Sequence, residues 1–406
     1  MRVLILHNHY QHAGGEDVAV AGERDLLASH GEDVKVHAVS NDTLRTAWAR
    51  TAAAWRAPYS SASRREVAAE ILRFRPDIVH IHNFFPLLTP SVYDAGRAAR
   101  IPVVQTLHNY RLLCLNAEFF RHGHPCEDCL TKMVPWPGVL HACYRRSRGA
   151  SAAVAAMLTL NRLRRTWSDK VDLYIALTEF ARNKFIQGGL PARKIVIKPN
   201  FVRVDPGPGT GGGRYALFVG RLVAGKGLTT LLAAVAHLKD QIPFKIVGEG
   251  PLAGAAGSAG GAGGSVEWLG ACSHERVLAL MKEAWVLLFP SLYYENFPMV
   301  IAEAYAAGLP IIASNVGSMS RLIDHGRTGL HVRPNDPSDL AAKLQWLWTH
   351  PQDRARLSRN ARAEFEQKYT AERNYQALME IYALARKQSS VACSGSMQRA
   401  DVVGSS

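Results

Sequence analysis

Two glutamates eight residues apart, Glu295 and Glu303, frame the segment Glu295-Asn-Phe-Pro-Met-Val-Ile-Ala-Glu303. An apolar run ending at Phe289-Pro290 leads into it, Gly308 follows it, and Pro310 opens the next apolar run. The pattern predicts a strand, a loop and a helix, with Asn296 as N-cap and Pro298 in the first turn, where its missing N–H costs nothing. A helix starting there aims the backbone around Asn296, Phe297, Pro298 and Met299 at whatever lies ahead of it. Unpaired helix N–H groups bind anions and hydroxyls. Glu303 falls among Val300, Ile301, Ala302 and Ala304, so its carboxylate must reach the surface or a hydrogen-bond partner. On spacing alone, two glutamates near a helix start are usually just solvated.

A second segment, Phe218-Val-Gly220-Arg221-Leu-Val-Ala-Gly225-Lys226-Gly227, carries two cations five residues apart. Glycines let a backbone approach a ligand closely, and a strand-to-helix turn with paired positive charge suits a diphosphate. The segment is not a Walker loop, since no Ser or Thr follows the lysine, and it lacks Gly-x-Gly-x-x-Gly. An ordinary basic surface loop is the alternative.

These segments need elements to hold them. The chain has 406 residues, too many for one core and suited to two domains. With 48% hydrophobic and 20% charged residues it reads as globular, and no apolar run is long enough to span a bilayer. The N-terminal apolar run is too short for a signal peptide, which places the protein in the cytoplasm. Short apolar runs at 1–7, 34–39, 78–82, 103–107, 173–177 and 195–197 alternate with helical spacing, as at 18–30. A second series follows at 216–219, 245–247, 266–269, 286–289 and 311–313. Strands alternating with helices indicate parallel sheets covered on both faces. The predicted class is α/β, with two Rossmann-like doubly wound domains facing a central cleft.

The boundaries follow composition. Residues 1–200 form an N-terminal domain, interrupted by a Cys- and Arg-rich insertion at 109–150 that is expected to shape a ligand site. Residues 201–213 form a Gly/Pro linker and 214–370 the second domain. Helical spacing is read at 338–349 and 352–386, with 371–387 as a C-terminal helix that can pack back on the first domain. The Gly/Ala/Ser stretch 253–265 is read as loop, and 388–406 as a disordered tail.

Of the net charge of +14, +10 falls on residues 1–200. Such an excess points to an anionic partner or simply to a solvated basic surface. Signatures of nucleic-acid modules are missing, so nucleic acid is set aside in favour of an anionic membrane or phosphorylated substrate. Cys114, Cys126, Cys129 and Cys143 could hold a structural zinc, with His122, His124 and His141 as substitutes, or remain buried or redox-active thiols. His7, His9 and His12 surround the first glycine loop, where they can touch substrate or satisfy backbone carbonyls. His80 and His82 share one face of their strand and can be structural.

Taken in order, these segments resemble the retaining glycosyltransferases of family 4, of GT-B architecture, a bacterial group 1 type. The resemblance rests on Gly14-Gly15-Glu16, Asp77-Ile-Val-His80-Ile-His82, Thr106-x-His108 and Asn200-Phe-Val in the first half. In the second it rests on Gly220-Arg221, Lys226-Gly227, Gly248-Glu249-Gly250-Pro251, Glu295-x7-Glu303 and Ala307-Gly308-x-Pro310. It covers roughly residues 1–385. It implies a nucleotide-sugar donor of UDP or GDP type and a glycan or lipid-linked acceptor in polysaccharide biosynthesis, with peripheral attachment at the inner face of a membrane. Arg221 and Lys226 would neutralise the diphosphate, with Gly220 beside them. Glu303 would bind the ribose, and Glu295 with Asn296, Phe297, Pro298 and Met299 the donor sugar. Gly15 would bring amides to the phosphates, and His108 would line the donor-sugar and acceptor site. No Asp-x-Asp occurs, and catalysis is expected to need no cofactor and no divalent ion. Two other readings keep the layout: a sugar-nucleotide epimerase, and a non-catalytic nucleotide-sugar-binding protein.

Overall fold

The computed structural model describes residues 1–11, 14–209, 213–238, 242–259 and 265–403, with side chains through Ser389. His12, three residues of the expected linker, five of the Gly/Ala/Ser stretch and the last three of the tail lie outside the described residues. The chain divides into two compact units. One comprises Met1–Ala117, Glu127–Lys198 and Asn374–Ser406, and the other comprises Glu118–Cys126 and Pro199–Arg373.

The N-terminal unit is built on a six-stranded parallel sheet in the order Asp33–Ser40, Arg2–His9, Ile78–Ile81, Val103–Leu107, Leu173–Ala176, Ile195–Ile197. The strand Ile78–Ile81 is buried at every position, as expected of a sheet covered on both faces. Its core joins Val3, Ile5, Ile78, Val104, Leu173 and Ile175 to Leu378, Ile381, Tyr382 and Ala385 of the final helix. That helix runs Ala371–Val403 and so continues through residues expected to be disordered. Ala, Met, Gln and Arg in that stretch are strong helix formers.

The C-terminal unit holds a second parallel six-stranded sheet, in the order Val266–Trp268, Phe244–Val247, Tyr215–Val219, Ala284–Phe289, Ile311–Ser314, Gly329–Val332. Phe218, Ile246, Val286, Leu288 and Ile312 form its centre, with Leu340, Leu344 and Leu347 packed on them from the helix Pro337–Thr349. A helix at Ala253–Ala259 stands where a loop was expected. No helix among the described residues is long and apolar enough to cross a membrane.

Candidate functional site

In the C-terminal unit the strands Tyr215–Val219 and Ala284–Phe289 are parallel neighbours, with Phe218 opposite Leu288. Their carboxyl ends therefore release two loops side by side, the place where open α/β sheets bind ligands. Residues Ala224–Lys226 form a 3-10 turn. It is followed by Gly227 at φ +76°, where an added Cβ would fall 1.8 Å from the Pro290 carbonyl oxygen. Only glycine permits that approach. The turn is pinned to the second loop by Leu292, whose N–H donates to the Gly225 carbonyl at 2.8 Å.

The result is an ion pair. Lys226 Nζ lies 2.6 Å from Glu295 Oε1, and the Ser291 hydroxyl donates to the same oxygen at 2.9 Å. The ammonium also sits 5.3 Å from the Tyr293 ring centre and 5.5 Å from that of Phe289. Burial alone would lower the Lys226 pKa, but the Glu295 carboxylate more than offsets it and holds the lysine above its usual range. Arg221 is exposed and joins no ion pair among the described residues, and Gly220 beside it is partly exposed.

The helix begins later than the sequence pattern indicates. It spans Met299–Ala306 with Pro298 as N-cap, so Asn296 is not the cap and the first helical amides are those of Met299 and Val300. Proline at the cap removes a donor without cost, which shifts the helix start past it. Phe297 is buried with its ring 5.6 Å from that of Tyr369, leaving its backbone as the part available to a ligand. Glu303 is buried and meets His274 Nε2 at 3.0 Å. That bond raises the pKa of the exposed His274. Sequence spacing gave no sign of His274, which opens the helix His274–Glu283 after Ser273 as cap.

The expected insertion is divided. Its segment Glu118–Cys126 groups with the C-terminal unit, where a short antiparallel pair, Phe120–Arg121 with His124–Pro125, brings Phe120 to 5.5 Å from the Tyr293 ring. The cysteines do not gather as a zinc site. Among the described residues, the groups of ligand-bearing side chains close enough to share an ion contain no cysteine. Cys114 instead donates to Asn116 Oδ1 at 2.9 Å and Cys129 to the Pro135 carbonyl at 3.7 Å. Both thiols are buried in local packing.

In the N-terminal unit three neighbouring strands, Arg2–His9, Ile78–Ile81 and Val103–Leu107, deliver the glycine loop, His82 and His108 at their carboxyl ends. Gly15 is the first residue of the helix Gly15–Ser29. His7 Nε2 and His9 Nδ1 both lie 2.9 Å from Asp17 Oδ1, while Asp17 Oδ2 accepts from the Gly14 N–H at 2.9 Å. These partners outweigh the burial that would raise the Asp17 pKa and hold it at about 2. His7 and His9 thus serve a side-chain carboxylate, not backbone carbonyls.

His108 is half-buried and its Nε2 lies 2.8 Å from His82 Nδ1. Burial, then the neighbouring His80, pushes His82 down to about 3, and burial followed by His82 holds His108 well below the usual histidine range. Both rings are neutral near pH 7. The two histidines of the Ile78–His82 motif divide their roles. Fully buried His80 bonds Tyr382 and Thr106, each at 2.8 Å, and His82 contacts His108. Behind them Glu23 pairs with Lys198 at 3.0 Å, and Lys198 also reaches Asn374 at 3.0 Å.

Two family models match the chain: Glycosyltransferase Family 4 over residues 10–206 and Glycosyl transferases group 1 over residues 208–364. D-rhamnosyltransferase WbpZ of Pseudomonas aeruginosa is 37% identical over 39% of this chain, a match that spans 42% of that relative's length. The alpha-D-kanosaminyltransferase of Streptomyces kanamyceticus is 25% identical over 87% of this chain and 90% of its own. Among solved structures, Anabaena HepE in complex with UDP-glucose aligns over 94% of this chain and 99% of its own, with a TM-score of 0.65 at 18% identity. That likeness carries the GT-B fold. With one model over each half, the chain belongs to the group 1 glycosyltransferases of family 4.

Proposed function

We propose that this glycosyltransferase moves a sugar from a nucleotide-sugar donor of UDP or GDP type to a glycan or lipid-linked acceptor, with retention of configuration. The observation that carries the reading is the contact between Lys226 and Glu295, which joins the two segments singled out by their chemistry at one point of the C-terminal unit. In this reading Arg221 and Lys226 neutralise the diphosphate beside Gly220. Glu295 and the backbone of Asn296, Phe297, Pro298 and Met299 hold the sugar, and Glu303 takes the ribose hydroxyls. Gly15 and His108 act from the N-terminal unit, on the phosphates and the sugar respectively.

Glycosyl transfer builds positive charge on the sugar and negative charge on the departing phosphate. Fixed cations at the leaving oxygens stabilise the transition state more than the ground state, which is what lowers the barrier. A Glu295 carboxylate engaged by Lys226 and Ser291 suits holding a hydroxyl better than attacking a sugar carbon. Same-face displacement assisted by the leaving phosphate fits that arrangement and yields retention. The +10 carried by residues 1–200 supports an anionic membrane surface as the place where the acceptor is met.

A screen of UDP- and GDP-sugars, with the anomeric configuration of the product read by NMR, tests the proposal. Consumption of one donor with a retained anomer is the expected result. An inverted product overturns the retaining reading. Interconversion of the sugar without transfer makes the protein an epimerase, and nucleotide binding with no turnover makes it a binding protein.

A further inference from the structure

One helix of the N-terminal unit keeps its largest apolar side chains out of the core. The helix Ala47–Arg56 is mostly alanine, the strongest helix former, and Thr46 caps it by accepting from the Ala49 N–H at 3.1 Å. A helix on the surface of a globular unit ordinarily turns its apolar stripe inward. Here the one buried residue is Ala53, while Trp48 and Trp55 are 80% and 83% exposed. Seven positions apart, the two indoles come round to the same side of the helix. Thr51 lies between them and turns its hydroxyl back onto the Ala47 carbonyl at 3.0 Å. Around this stripe the charge has one sign. Residues 43–65 contain Arg45, Arg50, Arg56, Arg64 and Arg65 and neither aspartate nor glutamate, and all five arginines are exposed. The segment is nonetheless fixed to the unit behind it. Asn161 Nδ2, in the helix Arg148–Leu163, donates to the Pro58 carbonyl at 3.0 Å, and the Arg164 guanidinium lies 5.2 Å from the Tyr59 ring centre.

We infer that the helix Ala47–Arg56 lies on an anionic lipid bilayer, with Trp48 and Trp55 at headgroup depth and the surrounding arginines on lipid phosphates. This is the surface through which the membrane contact proposed above would be made, so it rests on that part of the reading and not on the transfer chemistry. The side chains favour lipid over a protein partner. Indoles are enriched at membrane–water interfaces, where the ring leaves water and the N–H does not. Arginine offers paired donors to a phosphate while its stem follows apolar surface. Aromatic anchors of a protein interface sit in well-packed pockets ringed by contacts that exclude water, whereas these two stand out from alanine and exposed arginine. A helix of 10 residues is about 15 Å long, half of what a bilayer core requires, so it rests in the interface plane without crossing.

The test is sedimentation of the full chain with vesicles, either phosphatidylcholine alone or an equal mixture of phosphatidylcholine and phosphatidylglycerol. Wild type is compared with Trp48→Ala/Trp55→Ala and with Arg50→Gln/Arg56→Gln. Because both indoles are exposed, the tryptophan variant should melt with wild type when no lipid is present, which separates lost binding from lost folding. We expect wild type to bind the mixed vesicles at low salt and the tryptophan variant to bind them about tenfold more weakly or worse, since affinity scales with buried apolar area. The arginine variant should lose much of the preference for anionic over neutral lipid. Brominated phosphatidylcholine in the mixed vesicles should quench the fluorescence of wild type more than that of the tryptophan variant. If the tryptophan variant binds as wild type does, the inference falls while the membrane reading stands on the basic surface alone. A wild type that binds neither vesicle overturns both. Self-association that depends on Trp48 and Trp55, without vesicle binding, makes this face an interface between copies and overturns the inference as well. The transferase reading survives each of these results, since the donor screen tests it separately.

Discussion

Lys226 Nζ and Glu295 Oε1 lie 2.6 Å apart although 69 positions separate them in the chain. The cation expected to receive the diphosphate is thus bonded to the carboxylate expected to receive the sugar. On the proposed roles, a change at either group is felt by the other, so the two are coupled energetically.

The coupling is measurable with single and double replacements. Removing one partner of a buried pair leaves an uncompensated charge, so Glu295→Ala should cost about 3 kcal/mol in stability as well as turnover. The double replacement Lys226→Met with Glu295→Leu should unfold at a higher temperature than Glu295→Ala alone. Turnover should fall about tenfold or more in each, since stabilisation of the leaving charge is lost. Equal melting temperatures for single and double replacements would refute the coupling.

Gly227 sets the position of Lys226. With φ at +76° and Pro290 O 1.8 Å from where a Cβ would sit, Gly227→Ala must displace the turn or the facing loop. We expect a loss of more than about 1 kcal/mol in denaturant unfolding, together with weaker donor binding. Gly254→Ala, at a glycine where an added Cβ meets nothing within 4 Å, is the control that should cost neither.

Glu16 makes a prediction of opposite sign for stability. Its folded pKa of about 8 lies above the 4.5 usual for a glutamate, so between those values the folded state keeps a proton that the unfolded chain releases. Stability therefore declines as pH rises across that window, by at most ~1.4 kcal/mol per pH unit from this group. Glu16→Gln should escape the decline and melt above wild type at pH 8, with the difference closing towards pH 4. An identical pH dependence of melting in both proteins would contradict the raised pKa.

His274 reaches Glu303 at 3.0 Å, and its charged form is the one the carboxylate favours. His274→Ala should raise donor KM by roughly severalfold while leaving kcat nearly unchanged, the signature of lost ground-state binding. Since the raised His274 pKa means the pair weakens as the ring loses its proton, the gap between variant and wild type should narrow from pH 6 to pH 9. A gap that widens with pH would assign His274 a different role.

Much of the scaffold was legible because buried parallel strands are short apolar runs between breakers. Val103–Leu107 and Ile195–Ile197 fall where those runs predict them. Gly329–Val332 was missed, being four residues long with His331 inside it. Ala253–Ala259 was missed because alanine among glycine and serine reads as loop, although alanine is the strongest helix former. The helical spacing read over 352–386, with 371–387 taken as a C-terminal helix, is interrupted at Tyr369 and Thr370, where Thr370 bridges to Val202.

The site was legible as two segments and not as one place. That Lys226 meets Glu295 depends on the neighbouring strands that precede them, which spacing along the chain does not encode. His274 was invisible for the same reason. Glu16 was noticed within its motif, but its raised pKa comes from burial beside Tyr10, which no local pattern reports.

The last helix also bears on the order of events during synthesis. Leu378, Ile381, Tyr382 and Ala385 fill the core of the N-terminal unit, yet a ribosome makes them after all of Pro199–Arg373 in the other unit. The strands that begin the chain must wait, with part of their apolar surface unmatched, until these residues emerge. The C-terminal unit, which comprises Glu118–Cys126 and Pro199–Arg373, can close while that helix is still being made. The half of the protein made first is thus the half completed last.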